Sequence, residues 1–137
     1  MKVLIKGSSI FVLFIMVMSC ATITSALPEK YNLDNELEAV DRIFTIKSPR
    51  WQQVDNQSVI LRVNWNDYYL LVLRRPIDKR YSNPSLGFSR TISSITRGID
   101  RVFVEPSEST TGFVIDKIYK LKGREHANEI KERLRED

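Results

Sequence analysis

The amino-acid sequence predicts a mainly β fold: a small antiparallel barrel or sandwich of about six strands with an amphipathic helix at its C-terminus. Three observations support this prediction. Short apolar runs, some alternating with polar residues, lie between clusters of turn residues. One run, Tyr68–Leu73, is apolar at every position. The end of the chain carries apolar residues at helical spacing.

The clearest strand pattern lies at residues 58–65, where apolar side chains alternate with mostly polar ones. The alternating positions are Val59, Leu61, Val63 and Trp65. This pattern predicts a strand with one buried face. Turn residues at 64–67 then lead into Tyr68–Leu73, which we expect to be an interior strand because both of its faces are apolar. The two runs together predict a β-hairpin.

Further strands are predicted on both sides of this hairpin, at residues 42–46, 51–54, 101–105 and 113–121. Asp116 and Lys117 interrupt the alternation of the last strand and indicate a β-bulge.

Residues 86–99 fit two structures. Their apolar positions have helical spacing, at Phe88, Ile92, Ile95 and Ile99. The intervening Ser, Thr and Arg residues and the neighbouring strands favour a strand instead, and Pro84 and Gly98 bound the segment. We favour the strand.

The tail at residues 124–137 is predicted to be a helix. Ala127, Ile130 and Leu134 form one narrow apolar stripe, which should pack against the sheet. Glu129 and Arg133 have the i,i+4 spacing of a helical ion pair.

The N-terminus has the pattern of an export signal. Lys2 and Lys6 precede the apolar run at residues 10–18, which is too short for a helix that spans a bilayer. Cys20 stands where the run ends, after Ser19, and this arrangement resembles the lipobox of bacterial lipoproteins. The resemblance implies cleavage before Cys20 and acylation of its thiol and amino group by lipids such as palmitate.

We therefore divide the chain into a lipoprotein signal peptide at residues 1–19, a tether at 20–36 and a single β-rich domain with its C-terminal helix at 37–137. In the lipoprotein sorting pattern, Ala21 after the cysteine favours the outer membrane, with the domain facing the periplasm. The alternative is an ordinary signal peptide cut after Ala26, which would release a soluble secreted domain.

Composition excludes several classes of protein. A chain of 137 residues cannot hold a large multi-domain enzyme, and one Cys with one His cannot form a disulfide framework or a Cys/His zinc cluster. No phosphate-binding glycine motif occurs, so we expect no metal and no cofactor. Without Lys2 and Lys6, 19 basic residues face 17 acidic ones, and this balance gives no reason to expect a nucleic-acid partner.

Four groups of residues are candidates for function. The basic cluster Arg74, Arg75, Lys79 and Arg80 is suited to lipid headgroups or a partner protein, although charges in a solvated loop explain it more simply. Paired carboxylates would suit a small hydrolase, and the candidates are Asp55, Asp67, Asp78, Asp100 and Asp116. Aromatic residues suited to a peptide or glycan groove are Trp51, Trp65, Tyr68 and Tyr69. His126, the single histidine, is expected to be exposed or to cap the helix.

A set of apolar and aromatic motifs also resembles a bacterial envelope family, the domain of unknown function 6491. The motifs are Ile43-Phe44, Trp51, Val54-Asp55, Ser58-Val59-Ile60-Leu61, Tyr68-Tyr69-Leu70-Leu71, Pro76 and Ile115-Asp116-Lys117-Ile118-Tyr119. They cover about residues 41–121. The resemblance implies a cysteine pair in many members, at positions that are Ile77 and residues 112–114 here, so this chain departs from that pattern. It implies no activity.

These observations lead us to expect a non-enzymatic, lipid-anchored envelope protein that binds or spaces other envelope components. Its expected partners are the membrane, through lipidated Cys20, and an envelope protein or glycan. The alternatives are a small envelope hydrolase with paired carboxylates and the secreted domain cleaved after Ala26.

Overall fold

A computed structural model describes residues 27–44, 49–77, 85–88, 93–105 and 112–137. The strands in these ranges are β1 (Glu38–Ala39), β2 (Arg42–Phe44), β3 (Arg50–Gln53), β4 (Ser58–Arg62), β5 (Tyr68–Leu73), β6 (Ser85–Phe88), β7 (Ser94–Thr96), β8 (Arg101–Glu105) and β9 (Phe113–Leu121). The helices there are a 3-10 helix (Glu29–Tyr31) and α1 (Arg124–Glu136).

The main sheet is antiparallel and curls into a half-barrel with the strand order β3-β4-β5-β9-β8-β6. The long strand β9 is central: β5 pairs along one edge, while β8 and β1 share the other edge at opposite ends. A separate pair, β2 with β7, completes the described strands. This architecture confirms the expected mainly β fold with its C-terminal helix.

The predicted hairpin is present as β4 and β5, and the expected interior position of β5 is confirmed. The expectation of one exposed face on β4 was wrong. Ser58 and Ile60, which the alternation placed outside, are as buried as Val59 and Leu61. The strand ends at Arg62, and Trp65 lies in the following turn with 86% of its surface exposed.

The predicted β-bulge is also confirmed. Val72 pairs with Lys117, whereas the next residue, Leu73, pairs with Ile115, so Asp116 is the extra residue. The bulge keeps Ile115 and Ile118 on the same buried face of β9 despite the break in alternation.

Two apolar clusters cover the two faces of the sheet. The first lies under α1 and contains Tyr31, Leu33, Leu37, Val54, Ile60, Tyr68, Leu70, Val72, Tyr119, Leu121, Ala127, Ile130 and Leu134. The second lies on the opposite face and contains Ile43, Val59, Leu61, Leu71, Leu73, Ile77, Ile95, Val102, Phe113, Ile115 and Ile118. The central strands β5 and β9 contribute to both clusters.

The compact domain begins earlier than the sequence indicated. Tyr31, Leu33 and Leu37 are buried in the first cluster, and Leu27 packs against it. A start near Leu37 was therefore about ten residues too late, because aromatic and leucine side chains in this polar segment cover one face of the sheet. Residues 20–26 of the predicted tether lie outside the described residues.

Helix α1 confirms the predicted apolar stripe, since Ala127, Ile130 and Leu134 are its buried residues. Gly123 separates the helix from β9 with a φ of 112°, a conformation that favours glycine. Arg133 was expected to form an ion pair with Glu129 along the helix. Its guanidinium instead lies 2.8 Å from the Glu36 carboxylate, and this ion pair connects the helix to the N-terminal segment.

In the ambiguous segment, strand is confirmed at residues 86–88 and 94–96, whereas residues 97–99 form a turn. Phe88 lies in β6 and Ile95 in β7, with Ile95 fully buried. Ile99 lies in a turn and is exposed, whereas the helical spacing would have placed it on a buried face. Ile92 lies outside the described residues.

Truncating the apolar stripe tests the packing of α1. We expect Leu134→Ala to lower the free energy of unfolding by about 2–5 kcal/mol, because a buried side chain is replaced by a cavity. Glu129→Ala on the exposed side of the same helix should change it by no more than about 0.5 kcal/mol. Urea unfolding curves measure both values, and equal losses in the two variants would contradict this packing.

Candidate functional site

The proposed lipid site, Cys20, lies outside the described residues, as does the whole of residues 1–26. Its lipidation therefore stays a prediction. Among the residues that the structure describes, no helix is both long enough and apolar enough to cross a membrane.

Asp55, the first carboxylate candidate, is held in a structural hydrogen-bond cluster. Its Oδ1 accepts hydrogen bonds from the Gln57 backbone N–H and the Ser58 hydroxyl, both at 2.8 Å. Its Oδ2 accepts one from the Tyr31 hydroxyl at 2.6 Å and lies 3.1 Å from Lys30 Nζ. The carboxylate thus joins the β3–β4 turn to the 3-10 helix.

The pKa shifts in this cluster follow from those contacts. Burial alone favours the neutral carboxyl of Asp55, but the surrounding donors outweigh burial and hold its pKa below the ordinary value of 3.8. The pKa of Tyr31 moves the other way: burial, its hydrogen bond to Asp55 and the negative charge there raise it far above 10.0. Tyr31 therefore stays protonated and donates, and the pair is a fixed hydrogen bond.

The other carboxylate candidates also serve the fold. Asp67 accepts a hydrogen bond from Asn64 across its own turn at 2.9 Å. Asp100 is buried and accepts the Thr96 backbone N–H at 2.6 Å. Asp78 lies outside the described residues. Within the described part of the chain, no group of three or more His, Cys, Asp or Glu residues is arranged to hold a metal ion.

A second polar cluster fixes the N-terminal segment on β9. The Tyr119 hydroxyl lies 2.9 Å from Asp34 Oδ1, and Lys117 Nζ donates to Asp34 Oδ2 at 2.7 Å. Both contacts lower the pKa of Asp34, with the Lys117 hydrogen bond as the largest cause. The same hydrogen bond raises the pKa of Lys117, while burial is the main cause that raises the pKa of Tyr119.

The predicted basic cluster is partly engaged by the protein itself. Arg74 pairs with Asp116 at 3.1 Å, and the Arg75 guanidinium lies over the Phe113 ring, 4.8 Å from its centre. These contacts hold both arginines at the end of β5. The remaining cations of the cluster, Lys79 and Arg80, lie outside the described residues, and contact with headgroups or a partner stays a prediction.

A different set of cations lines a groove between α1 and the β3–β5 side of the sheet. The groove has a volume of about 840 Å³. Its sheet wall is formed by Arg50, Gln52, Ile60, Arg62 and Tyr68. These residues share one face because they are cross-strand partners: Arg50 with Arg62, Gln52 with Ile60, and Arg62 with Tyr68.

The helix wall of the groove follows from helical geometry. The helix wall contains Arg124, Asn128, Lys131 and Glu132, whose successive spacings of four, three and one place them on one side of α1. The groove therefore collects four cations and one acid from three separate parts of the chain. A carboxylate hydrolase needs two acids across a cleft, and this groove presents one.

The cations of the groove differ in how they are held. Arg62 donates to the Asn64 carbonyl at 3.1 Å and lies 5.9 Å from the centre of the Tyr68 ring. The side chains of Arg50 and Arg124 form no hydrogen bond and no ion pair with any other residue that the structure describes. Arg50 also stands directly opposite Arg62, a like-charged pair that lowers the stability of a sheet.

The four aromatic candidates do not form one surface. Tyr68 lies in the groove wall, and Trp51 borders the groove. The register places Trp51 opposite Leu61, and its side chain packs against the second cluster, as does Tyr69. Trp65 is in an exposed turn. The groove is therefore basic with one tyrosine, and an aromatic platform is not present in it.

His126 is partly exposed and does not cap the helix. Its Nδ1 accepts the Lys122 backbone N–H at 3.0 Å, just before the start of α1. This bond satisfies a backbone donor of the turn that precedes the helix.

The fold and the groove define a small β domain whose described aspartate candidates are engaged in structural contacts and whose groove is basic. The chain belongs to the family of unknown function DUF6491, whose sequence profile matches residues 2–137. This confirms the family resemblance of the motifs. No curated protein matches the chain significantly, and no solved structure does so either.

The positions of the cysteine pair implied by the family resemblance both fall in the apolar core. Ile77 and Phe113 are buried in the second cluster. In this chain, both segments therefore contribute apolar side chains at these positions.

Replacing Asp55 tests its structural role. We expect Asp55→Asn to lower the free energy of unfolding at neutral pH by about 2 kcal/mol or more, since hydrogen bonds to charged groups contribute about 1.5–3 kcal/mol. The folded-state pKa lies below 3.8, so this contribution is complete above that pH and is lost as the pH falls through the folded-state value. Urea unfolding between neutral and acidic pH should show the wild-type advantage shrinking in acid.

The matched control is Asp41→Asn, because the Asp41 side chain is 85% exposed and pairs with Arg97 on the surface. Its effect should stay within about 1 kcal/mol at every pH. A difference between wild type and Asp55→Asn that grows in acid would contradict the depressed pKa.

Proposed function

We propose that the protein is a lipid-anchored, non-enzymatic module of the bacterial envelope that binds or spaces other envelope components. The observation that carries this proposal is the single cysteine of the chain, Cys20, placed at the end of the only signal-like apolar run in the sequence. The lipobox resemblance assigns that thiol to diacylglycerol and the new amino group to a further acyl chain. Each buried methylene contributes about 0.8 kcal/mol, so three acyl chains would hold the domain permanently.

The lipid would also place the domain close to the bilayer. Leu27 already packs on the first cluster. The chain from Cys20 to that point reaches at most about 25 Å even when it is fully extended. Ala21 after the cysteine supports the outer membrane, with the domain on the periplasmic side. At this short range the domain meets neighbouring membrane components at high effective concentration.

The binding role is supported over the hydrolase by how the acids are used. Asp55 is surrounded by donors, Asp67 and Asp100 accept hydrogen bonds in turns, and Asp116 pairs with Arg74. An acid that is fixed by such contacts is poorly placed to exchange protons with a substrate. The groove, by contrast, carries cations that have no internal partner among the described residues.

Removal of the thiol tests the anchor. We expect Cys20→Ser to abolish incorporation of labelled palmitate and to leave the protein as an uncleaved precursor, because the serine hydroxyl cannot take the place of the acceptor thiol. Metabolic labelling and the mass of the N-terminal peptide measure these two effects. Ser25→Ala, five residues further along, is the control and should label like the wild type.

The same mass measurement decides between the lipoprotein and the secreted protein. A native N-terminus at Cys20 with an added lipid mass supports the proposal. A native chain that begins after Ala26, or an unmodified thiol at Cys20, overturns it.

A further inference from the structure

We propose that the groove between α1 and the β3–β5 face binds the phosphate ester of a hydroxylated molecule, held by Arg50, Arg62, Arg124 and Lys131. This deepens the binding role proposed above by naming the class of ligand, and it does not require the lipid anchor. Three features of the groove support this ligand: its charge, the placement of its arginines, and its size with its neutral lining.

The positive charge of the groove favours an anionic ligand. Four cations share it with one acid, Glu132, which itself lies 3.6 Å from Lys131 and 3.9 Å from Arg135. A carboxylate ligand would bring one negative charge to this surplus, whereas a phosphate monoester brings about 1.5–2. The charge balance therefore favours phosphate.

The arginines are placed as a binding site would need them. Cross-strand pairing sets Arg50 directly opposite Arg62, although like charges at such positions oppose folding. Arg124 faces them from the other wall, and neither it nor Arg50 is neutralised by a described residue. Such a repulsion lowers the stability of the fold, and a repulsion that no neighbouring residue offsets is typical of a functional site. Guanidinium groups bind phosphate oxygens in pairs of hydrogen bonds.

The size and the neutral lining indicate that the ligand is larger than a bare anion. A volume of 840 Å³ falls within the range of about 300–1,000 Å³ that is usual for small-molecule sites. Gln52 and Asn128 place an amide on each wall, and amides hydrogen-bond to hydroxyl groups. Ile60 and Tyr68 add apolar surface for a carbon skeleton. A phosphorylated polyol matches all of these features.

Isothermal titration calorimetry of the purified full-length protein measures binding of this ligand directly. Titration with glycerol 3-phosphate should give a saturable heat of binding. Glycerol, without the phosphate, should give none, and inorganic phosphate should bind more weakly because it lacks the hydroxylated body.

A charge-matched pair of variants assigns the binding to the groove. Arg50→Gln with Arg124→Gln removes two groove cations and should weaken glycerol 3-phosphate binding by at least about tenfold, since each bond to a charged group contributes about that factor. The control, Arg97→Gln with Lys120→Gln, removes two cations elsewhere. Lys120 is the cross-strand partner of Tyr69, whose side chain packs against the second cluster, so Lys120 lies on the face of the sheet away from the groove. The control should bind within about twofold of the parent.

Stability separates a binding role from a structural one. Removal of Arg50 relieves its opposition to Arg62, so Arg50→Gln should unfold at the same urea concentration as the parent or at a higher one. If the arginines served the fold, the variant would unfold earlier.

A second titration distinguishes two sources of the phosphate ester. Dioctanoyl phosphatidic acid carries the same glycerol phosphate monoester as a lipid headgroup. Tighter binding of this lipid than of glycerol 3-phosphate supports a membrane source, and the reverse supports a soluble phosphate ester.

Three results would overturn the proposal: no saturable heat of binding with either phosphate ester, equal binding by the groove variant and its parent, or preferential binding of polyglutamate, which would identify an acidic polypeptide as the ligand. All titrations use purified protein, so their failure leaves the anchor of the proposed function untouched, and failure of the anchor leaves these titrations valid.

Discussion

The constraint on which the rest of the structure depends is that β5 and β9 are apolar on both faces. A sheet with two apolar faces must be covered twice, because either face left in water would forfeit the burial that stabilises the fold. Helix α1 covers part of one face with Ala127, Ile130 and Leu134. Tyr31, Leu33 and Leu37 cover the rest, and the curl of the sheet with β2 and β7 covers the other face. The N-terminal segment therefore belongs to the domain by necessity.

This constraint explains what the sequence could and could not predict about the fold. The bulge at Asp116, the interior position of β5 and the stripe of α1 follow from local periodicity, and all three were predicted. The inclusion of residues 27–37 depends on the total apolar surface to be covered, which is a property of the whole sheet. The polar composition of this segment hid this, since Leu27, Tyr31, Leu33 and Leu37 stand among polar residues without a clear period. The burial of Ser58 could not be predicted either, because it depends on the hydrogen bond that the Ser58 hydroxyl donates to Asp55.

The groove was beyond sequence analysis for a different reason. The predicted basic cluster was contiguous in the chain, and the structure uses Arg74 and Arg75 in contacts with the neighbouring strand β9. The groove cations are scattered, and the register that sets Arg50 against Arg62 brings them together. The alignment of the strands is the one signal that the sequence offered. Once β3, β4 and β5 are aligned on their apolar residues, two arginines fall opposite each other, which is an unfavourable arrangement that the fold itself does not require.

The Asp55 cluster connects the fold to the groove, because it joins the helix wall to the sheet wall. Lys30 Nζ donates to the Leu134 carbonyl at 3.3 Å while it contacts Asp55, so one lysine joins the end of α1 to the β3–β4 turn. Arg135 reinforces this joint by donating to the Val54 carbonyl at 3.1 Å. The other end of α1 follows β9 through the short turn at Gly123. With both ends of the helix fixed, the groove between them is preorganised, and a ligand that enters it need not supply the free energy to order its walls.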